Sequence, residues 1–376
     1  MTDESSMSPE VDPKLSRRRL VQDSALAAGA LAFGSRLEVS SVLAQDEGAT
    51  PPATPSAGRV LEFDLPGLEI GIAAYPQVPT GCTAFIFDLD VFPSGVMLEL
   101  DVRGGAPAYF GDYGVTNAIC LAGGSSYGLE AAAGVASELF AQGGHKDLLA
   151  VAGAIIYDIS AVEEPNGFRQ QGIYPDKALG QEAVWAAQPG RFPLGNQGAG
   201  SGAYVGQWAN WPYSRERGGQ GAAFRQIGAI KVAVFTVVNA LGVIVDRQGQ
   251  VVRGGLDART GVRTTPVEDA EAILADAAAT AGAAAALPGR LTRHTTLTVL
   301  VTNVAFPREL LRQMGRQVHS SMARAIQPFH TPDDGDILFT ASTGEVSADG
   351  IDSTALGVIA SELAWDAVLS CYEPEA

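Results

Sequence analysis

Cysteine and histidine are scarce in this sequence, with three and four copies among 376 residues. Cys82, Cys120 and Cys371 stand far apart in apolar or helical surroundings, without a CxxC or His-Cys spacing. They read as small core hydrophobes, so neither a disulfide framework nor a zinc site is indicated, and no metal or other cofactor is expected. Basic residues are also few. The 25 Lys and Arg face 42 Asp and Glu, for a formal charge of -17. A surface that acidic repels phosphate backbones, which argues against a nucleic-acid partner. Long apolar runs are missing too. The most apolar N-terminal stretch, Ala25 to Phe33, is far shorter than the ~20 residues that cross a bilayer, so no membrane span is expected.

What is present suits a single large α/β domain with many tight turns: 46% hydrophobic residues and 44 glycines. Ser16-Arg17-Arg18-Arg19-Leu20-Val21, the Gly/Ala-rich run to Phe33 and the small-residue site at Val42-Leu43-Ala44 follow the layout of a twin-arginine export signal over 1–44. The protein is therefore expected to be exported, to the periplasm, the cell surface or the medium. Residues 45–59, with Thr50-Pro51-Pro52-Ala53-Thr54-Pro55, read as a Pro-rich linker, and 60–376 as the folded domain.

The domain is organised around His294-Thr295-Thr296-Leu297-Thr298-Val299-Leu300-Val301-Thr302-Asn303, a β-branched strand delivered by a connector that follows an alanine-rich helix. A strand-initial threonine whose preceding peptide bond is cut carries a hydroxyl and a free amine on one residue, a nucleophile with its own base. That amine titrates near ~8 in small compounds, so part of it is neutral at neutral pH. Other buried strands are expected at Gly81 to Phe87, Val96 to Val102, Asn117 to Ala122, Val151 to Ile159 and Ala229 to Asn239. The strand ending at Ala122 opens through Gly123-Gly124-Ser125-Ser126-Tyr127-Gly128 into a helix from Leu129 to Phe140. Such a Gly-rich loop at a helix start offers N–H groups to an anion or a developing oxyanion, or is a tight turn. Asn239 ends its strand as a turn former or as an amide donor beside Thr295. Thr265-Pro266-Val267-Glu268 is a capping box launching a helix to about Leu287. A second helix is expected from Arg308 to Ile326, with Leu310, Leu311, Met314, Val318 and Met322 on one face, and a third from Ile351 to Cys371.

Taken in order, Thr80-Gly81-Cys82-Thr83, Asp101 to Pro107, Asn117 to Ala133, Gly195 to Ala203, Val238-Asn239-Ala240, Thr295 to Asn303 and His330-Thr331-Pro332 through Thr343 resemble one family. It is that of the self-processing L-aminopeptidase/D-esterases and β-peptidyl aminopeptidases. The resemblance implies a four-layer αββα sandwich, like that of N-terminal-nucleophile hydrolases but with different connectivity. It implies self-cleavage between His294 and Thr295 into parts 60–294 and 295–376, with Thr295 as nucleophile and Asn239 helping to hold the oxyanion. Tyr157 falls near the family's active-site tyrosine. Gly123, Gly124, Ser125 and Glu130 are expected to bind substrate. Where β-aminopeptidases carry a serine, any residue and an acid, this chain has Asp334, Gly335 and Asp336, so the acid is kept and the serine is not. The implied substrate is a small peptide or an amino-acid amide or ester, and the implied assembly a homo-oligomer. Two other readings fit the same residues: an acyltransferase using the same threonine, and a non-catalytic exported binding protein of this fold.

Overall fold

The computed structural model describes residues 58–88, 90, 96–103, 108–109, 114–144, 150–159, 172–208, 213–280 and 294–373. The expected export segment 1–44, the expected linker up to residue 57, the Gly104–Pro107 break and the connector 281–293 lie outside the described residues.

Two six-stranded sheets form the centre. Their strands in chain order are β1 (Leu68–Ala74), β2 (Gly81–Phe87), β3 (Val96–Arg103), β4 (Ala108–Tyr109), β5 (Val115–Thr116), β6 (Ala118–Ala122), β7 (Val151–Ile155), β8 (Gln188–Pro189), β9 (Gly219–Ile227), β10 (Ile230–Asn239), β11 (Thr295–Ala305) and β12 (Ile337–Ser347). The first sheet runs β4-β7-β6-β2-β1-β8 and the second β9-β10-β11-β12-β3-β5. Each is mostly antiparallel but holds one parallel pair, β6 with β7 and β11 with β12. A parallel pair needs a crossover, and helices supply both: α1 (Glu130–Leu139) in the first sheet and, beyond α2 (Lys177–Trp185) and α3 (Pro266–Thr280), α4 (Arg308–Ser321) in the second. The helix α5 (Ser353–Leu369) closes the fold.

The period-2 pattern of the central strands explains the layers. On β10, β11 and β12, Phe235, Val237, Leu297, Val299, Val301, Ile337 and Phe339 join one core with residues of the first sheet, while Val234, Val238, Leu300 and Leu338 join another with α4 and α5. Alternate residues thus face the opposite sheet and the helices, which gives the expected αββα sandwich. Between the sheets, Phe235 meets Phe63 edge-on at 5.4 Å, Phe85 at 5.2 Å and Phe192 at 5.0 Å, so one ring ties three separate segments together. Two strand threonines that face the helices meet: Thr236 Oγ1 lies 3.2 Å from Thr298 Oγ1 across the β10–β11 ladder. On the outer face of the first sheet α1 and α2 touch through glycine. A Cβ at Gly134 would sit 2.1 Å from the Lys177 carbonyl oxygen, and one at Gly180 2.1 Å from that of Ala131. Only glycine permits that approach.

Several boundaries move from the sequence expectation. The strand after α1 stops at Ile155, short of Tyr157 and Asp158, because the chain there turns to bond other segments. The helix from Arg308 ends at Ser321, passes through a single 3₁₀ turn and gives Ile326–Gln327 to a small sheet with Val243–Val245. Leu311, Met314, Val318 and Met322 are buried as expected, whereas Leu310 is 38% exposed and lies off the stripe. The capping box is formed: Thr265 N donates to Glu268 Oε2 at 2.7 Å, and Glu268 N to Thr265 Oγ1 at 3.3 Å. All three cysteines are buried and free. Among the described residues no helix is long and apolar enough to cross a membrane.

Candidate active site

Thr295 is the first residue of β11 and stands in register with Asn239, the last residue of β10. Two strand ends therefore meet at the edge of the sandwich with both side chains withdrawn from solvent, at 2% and 1% exposure. The Thr295 hydroxyl donates to the His294 carbonyl oxygen at 2.6 Å, and the Gly335 N–H donates to the same oxygen at 2.7 Å. The carbonyl of the expected scissile bond is thus polarised by a backbone donor and touched by the expected nucleophile, the arrangement an oxyanion site requires. The Asn239 amide is fixed on both sides: Tyr204 N donates to its Oδ1 at 3.0 Å, and its Nδ2 donates to the Tyr157 carbonyl at 3.1 Å. These bonds set which way the amide points. Tyr157 is brought to the site, but the contact to Asn239 is made by its backbone.

The loop before β12 supplies the carboxylates. Asp336 is fully buried and accepts from Thr296 N at 2.6 Å through Oδ1, one residue past Thr295. Its Oδ2 lies 3.2 Å from His330 Nδ1. Asp334 pairs as an isolated parallel bridge with His294, and its Oδ2 accepts from Thr331 N at 2.8 Å and Thr331 Oγ1 at 2.7 Å. Burial, and then the neighbouring Asp336 carboxylate, push the Asp334 carboxyl above its ordinary range. The hydrogen bond to Asp336 raises His330, whereas burial and then the His330 charge lower His319 to about 3. His319, His330 and Asp336 each offer a ligand atom, all within 4.8 Å of one another. Ligands on a tetrahedral zinc at 2.0–2.1 Å stand only roughly 3.4 Å apart. In this arrangement Asp336 and His330 form one hydrogen-bonded pair, and His319 packs against it edge-on through its ring, 4.4 Å from His330.

The Gly-rich loop reaches the site through Asp158. Gly124, in the left-handed region at φ 79, gives its N–H to Asp158 Oδ1 at 2.6 Å. Burial pushes the Asp158 carboxyl up to about 6 against the pull of that N–H. Ser125 follows in the same region at φ 54, a conformation that costs a residue with a side chain about 1–2 kcal/mol. Glu130 is exposed on the first turn of α1 and accepts from Tyr174 OH at 2.9 Å, so it sits on the rim and not beside Thr295. A cavity of about 330 Å³ opens nearby, lined by Tyr75, Gln77, Asn196, Ser201 and Arg217. Arg217 lies over the Tyr204 ring at 5.0 Å, and the Tyr204 N–H is the one held by Asn239, which joins this cavity to the strand ends.

Sequence reasoning brings Thr295, Asn239, Asp334 and Asp336 together and misses five of the residues gathered around them. Asp158 stands out only as the end of a strand, and Gly335 only as a spacer. Tyr204 carries no motif, because it acts through its backbone. His319 and His330 lie 11 residues apart with no ligand spacing, although the His330-Thr331-Pro332 stretch does mark one of them.

The model of peptidase family S58 matches residues 63–372. A 6-aminohexanoate-oligomer endohydrolase of Paenarthrobacter ureafaciens is 45% identical over 329 residues, covering 84% of this chain and 86% of that protein. A putative NylC-analogous protein of Agromyces sp. (strain KY5R) is 44% identical over 324 residues, 82% of this chain and 99% of its own. Among solved structures, a Burkholderia sp. beta-aminopeptidase is similar with a TM-score of 0.58 at 18% identity, covering 84% of this chain and 88% of that one. The l-aminopeptidase d-ala-esterase/amidase of Ochrobactrum anthropi, a variant of the N-terminal-nucleophile hydrolase fold, is similar with a TM-score of 0.56 at 16% identity, with the same coverage. At those identities the likeness to the two solved structures is one of fold.

Proposed function

This chain belongs to peptidase family S58 and is a hydrolase, and from that premise we propose that it cuts itself before Thr295 and then hydrolyses amides with the threonine so released. The observation that carries the reading is the doubly bonded His294 carbonyl, which accepts from Thr295 Oγ1 at 2.6 Å and from Gly335 N at 2.7 Å. In self-cleavage the Thr295 oxygen bonds to the His294 carbonyl carbon, and the Gly335 N–H steadies the oxygen as it becomes negative. The C–N bond then breaks and the hydroxyl proton ends on the departing Thr295 nitrogen. Water hydrolyses the resulting ester, leaving a His294 carboxylate and a free Thr295 hydroxyl and amine. In turnover the amine takes the hydroxyl proton as Oγ1 attacks a substrate carbonyl, Asn239 donates to the oxyanion, and the proton returns to the leaving amine. Asp336, bonded to Thr296 N, fixes the strand start against which the amine sits.

The substrate class follows from the likeness to the oligomer endohydrolases, which are named for 6-aminohexanoate oligomers. We infer that linear oligoamides of ω-amino acids are cut, with aminoacyl amides and short peptides as the second class. The polar cavity beside Tyr204 would receive the chain. Residues 1–44 would direct export, so that the folded, processed enzyme works outside the cytoplasm.

Intact-mass analysis of the purified protein tests the reading: a fragment beginning at Thr295 is expected, and Thr295→Ala should remain one chain. Release of 6-aminohexanoate units from the oligomer is expected from the processed wild type. An uncut wild type that hydrolyses neither the oligomer nor any amino-acid amide would overturn it.

A further inference from the structure

His330 stands outside the reaction just derived, yet the fold holds it in a defined place. Its backbone sits at φ 55, a region that side-chain-bearing residues other than Asn, Asp and His seldom occupy. Its ring meets His319 edge-on, with centroids 4.4 Å apart at 84°, and His319 is in turn buried against Phe329 at 4.8 Å. This packing aims Nδ1 at Asp336 Oδ2, 3.2 Å away, while the other oxygen of the same carboxylate holds Thr296 N at 2.6 Å. The charged and titratable groups facing His330 are Asp336 and Asp334 from the loop before β12 and His319 from α4, with His294 across the ladder from Asp334.

We propose that His330 is a positioning residue for hydrolysis: it fixes the Asp336 carboxylate at the start of β11 and shares its charge, so that the freed Thr295 amine can be neutral when it must act as the base. The proposal rests on the reading of Thr295 as nucleophile. A buried carboxylate with no other cation would bind the ammonium form of the amine and leave it a poor proton acceptor. A protonated His330 on the far oxygen weakens that hold, and the upward pull of Asp336 on His330 is the other half of the same interaction. The two histidines also divide the work: His319, kept neutral by burial, supports the ring without adding a second charge.

Two variants of the processed enzyme separate charge from position. Asn tolerates the left-handed backbone and can still donate to Asp336, but it carries no charge. His330→Asn is therefore expected to leave KM within about 2-fold, lower kcat at pH 7 about 10-fold, and move the acid limb of the kcat/KM profile about one pH unit toward alkali, with activity recovering as pH rises. His330→Ala should show the same displacement and a further loss that alkali does not recover. As a readout free of turnover, the pH dependence of Thr295 α-amine acylation should move in parallel. Unmoved profiles and an unmoved amine in both variants, whether or not kcat falls, would overturn the proposal while leaving the nucleophile reading intact. A protein without a Thr295 terminus would overturn both.

Discussion

The two parallel crossovers, one in each sheet, put different kinds of surface at the candidate site. At the start of β11 the groups are tied closely: Thr295, Asn239, Asp334 and Asp336 are buried, and backbone donors from Thr296, Tyr204, Thr331 and Gly335 reach in from three stretches of chain. At the start of α1 the loop is anchored by Gly123 on the Gly81 carbonyl, Gly124 on Asp158 and Ser125 on the Ile156 carbonyl, and then opens, with Ser125 half-buried and Glu130 exposed. Labour is divided between the two ends. On the proposed function, bond-making groups would be held where reorganisation costs least during reaction, and contact groups would sit where substrates of differing length can be accommodated.

Asn239→Ala should disturb that division most. It removes the proposed oxyanion donor and cuts the ties to Tyr157 and Tyr204, so kcat should fall by about 10²–10³ with KM little changed, measured on the processed enzyme by steady-state kinetics. The next effect is one of stability at the tied end. His319, lowered to about 3, resists protonation while folded, so its contribution is whole above the ordinary imidazole value of ~6.5 and is lost as pH falls from there toward 3. Thermal denaturation should show His319→Phe losing less stability than wild type between pH 6.5 and 4. At the open end, Asp158 has the opposite sign. Raised to about 6, it stabilises below ~4 and loses that as pH rises through 6, so Asp158→Asn should raise Tm at pH 8 relative to wild type and not at pH 4. The smallest effect belongs to Glu130→Gln, which leaves processing intact and changes KM only a few-fold, as expected for one exposed hydrogen bond of about 1 kcal/mol.

How far the fold is readable from sequence follows the same contrast. Period-2 burial on β10 and β11 and the capping box at Thr265 are local signals, and both appear in the structure where the residues put them. Thr295 and Asn239 are legible as strand ends, since β-branched runs mark where strands begin and stop. Their register is not, because pairing across 56 positions of chain is decided by the whole core. Tyr204 and Gly335 act through backbone N–H groups, which every residue but proline possesses, so no residue type announces them. Ile326 reads as the end of the preceding helix because an apolar residue at helical spacing looks the same until Val243–Val245 arrives to pair with it.

One consequence of the strand order β9-β10-β11-β12-β3-β5 concerns what a nick at residue 294 would do to the molecule. The piece from 295 onward would own β11 and β12, wedged between β10 on one flank and β3 on the other, both from the earlier piece. The two polypeptides would be dovetailed, each needing the other to complete its sheet. Native gel filtration should therefore elute them as a single species, and only a denaturant should part them.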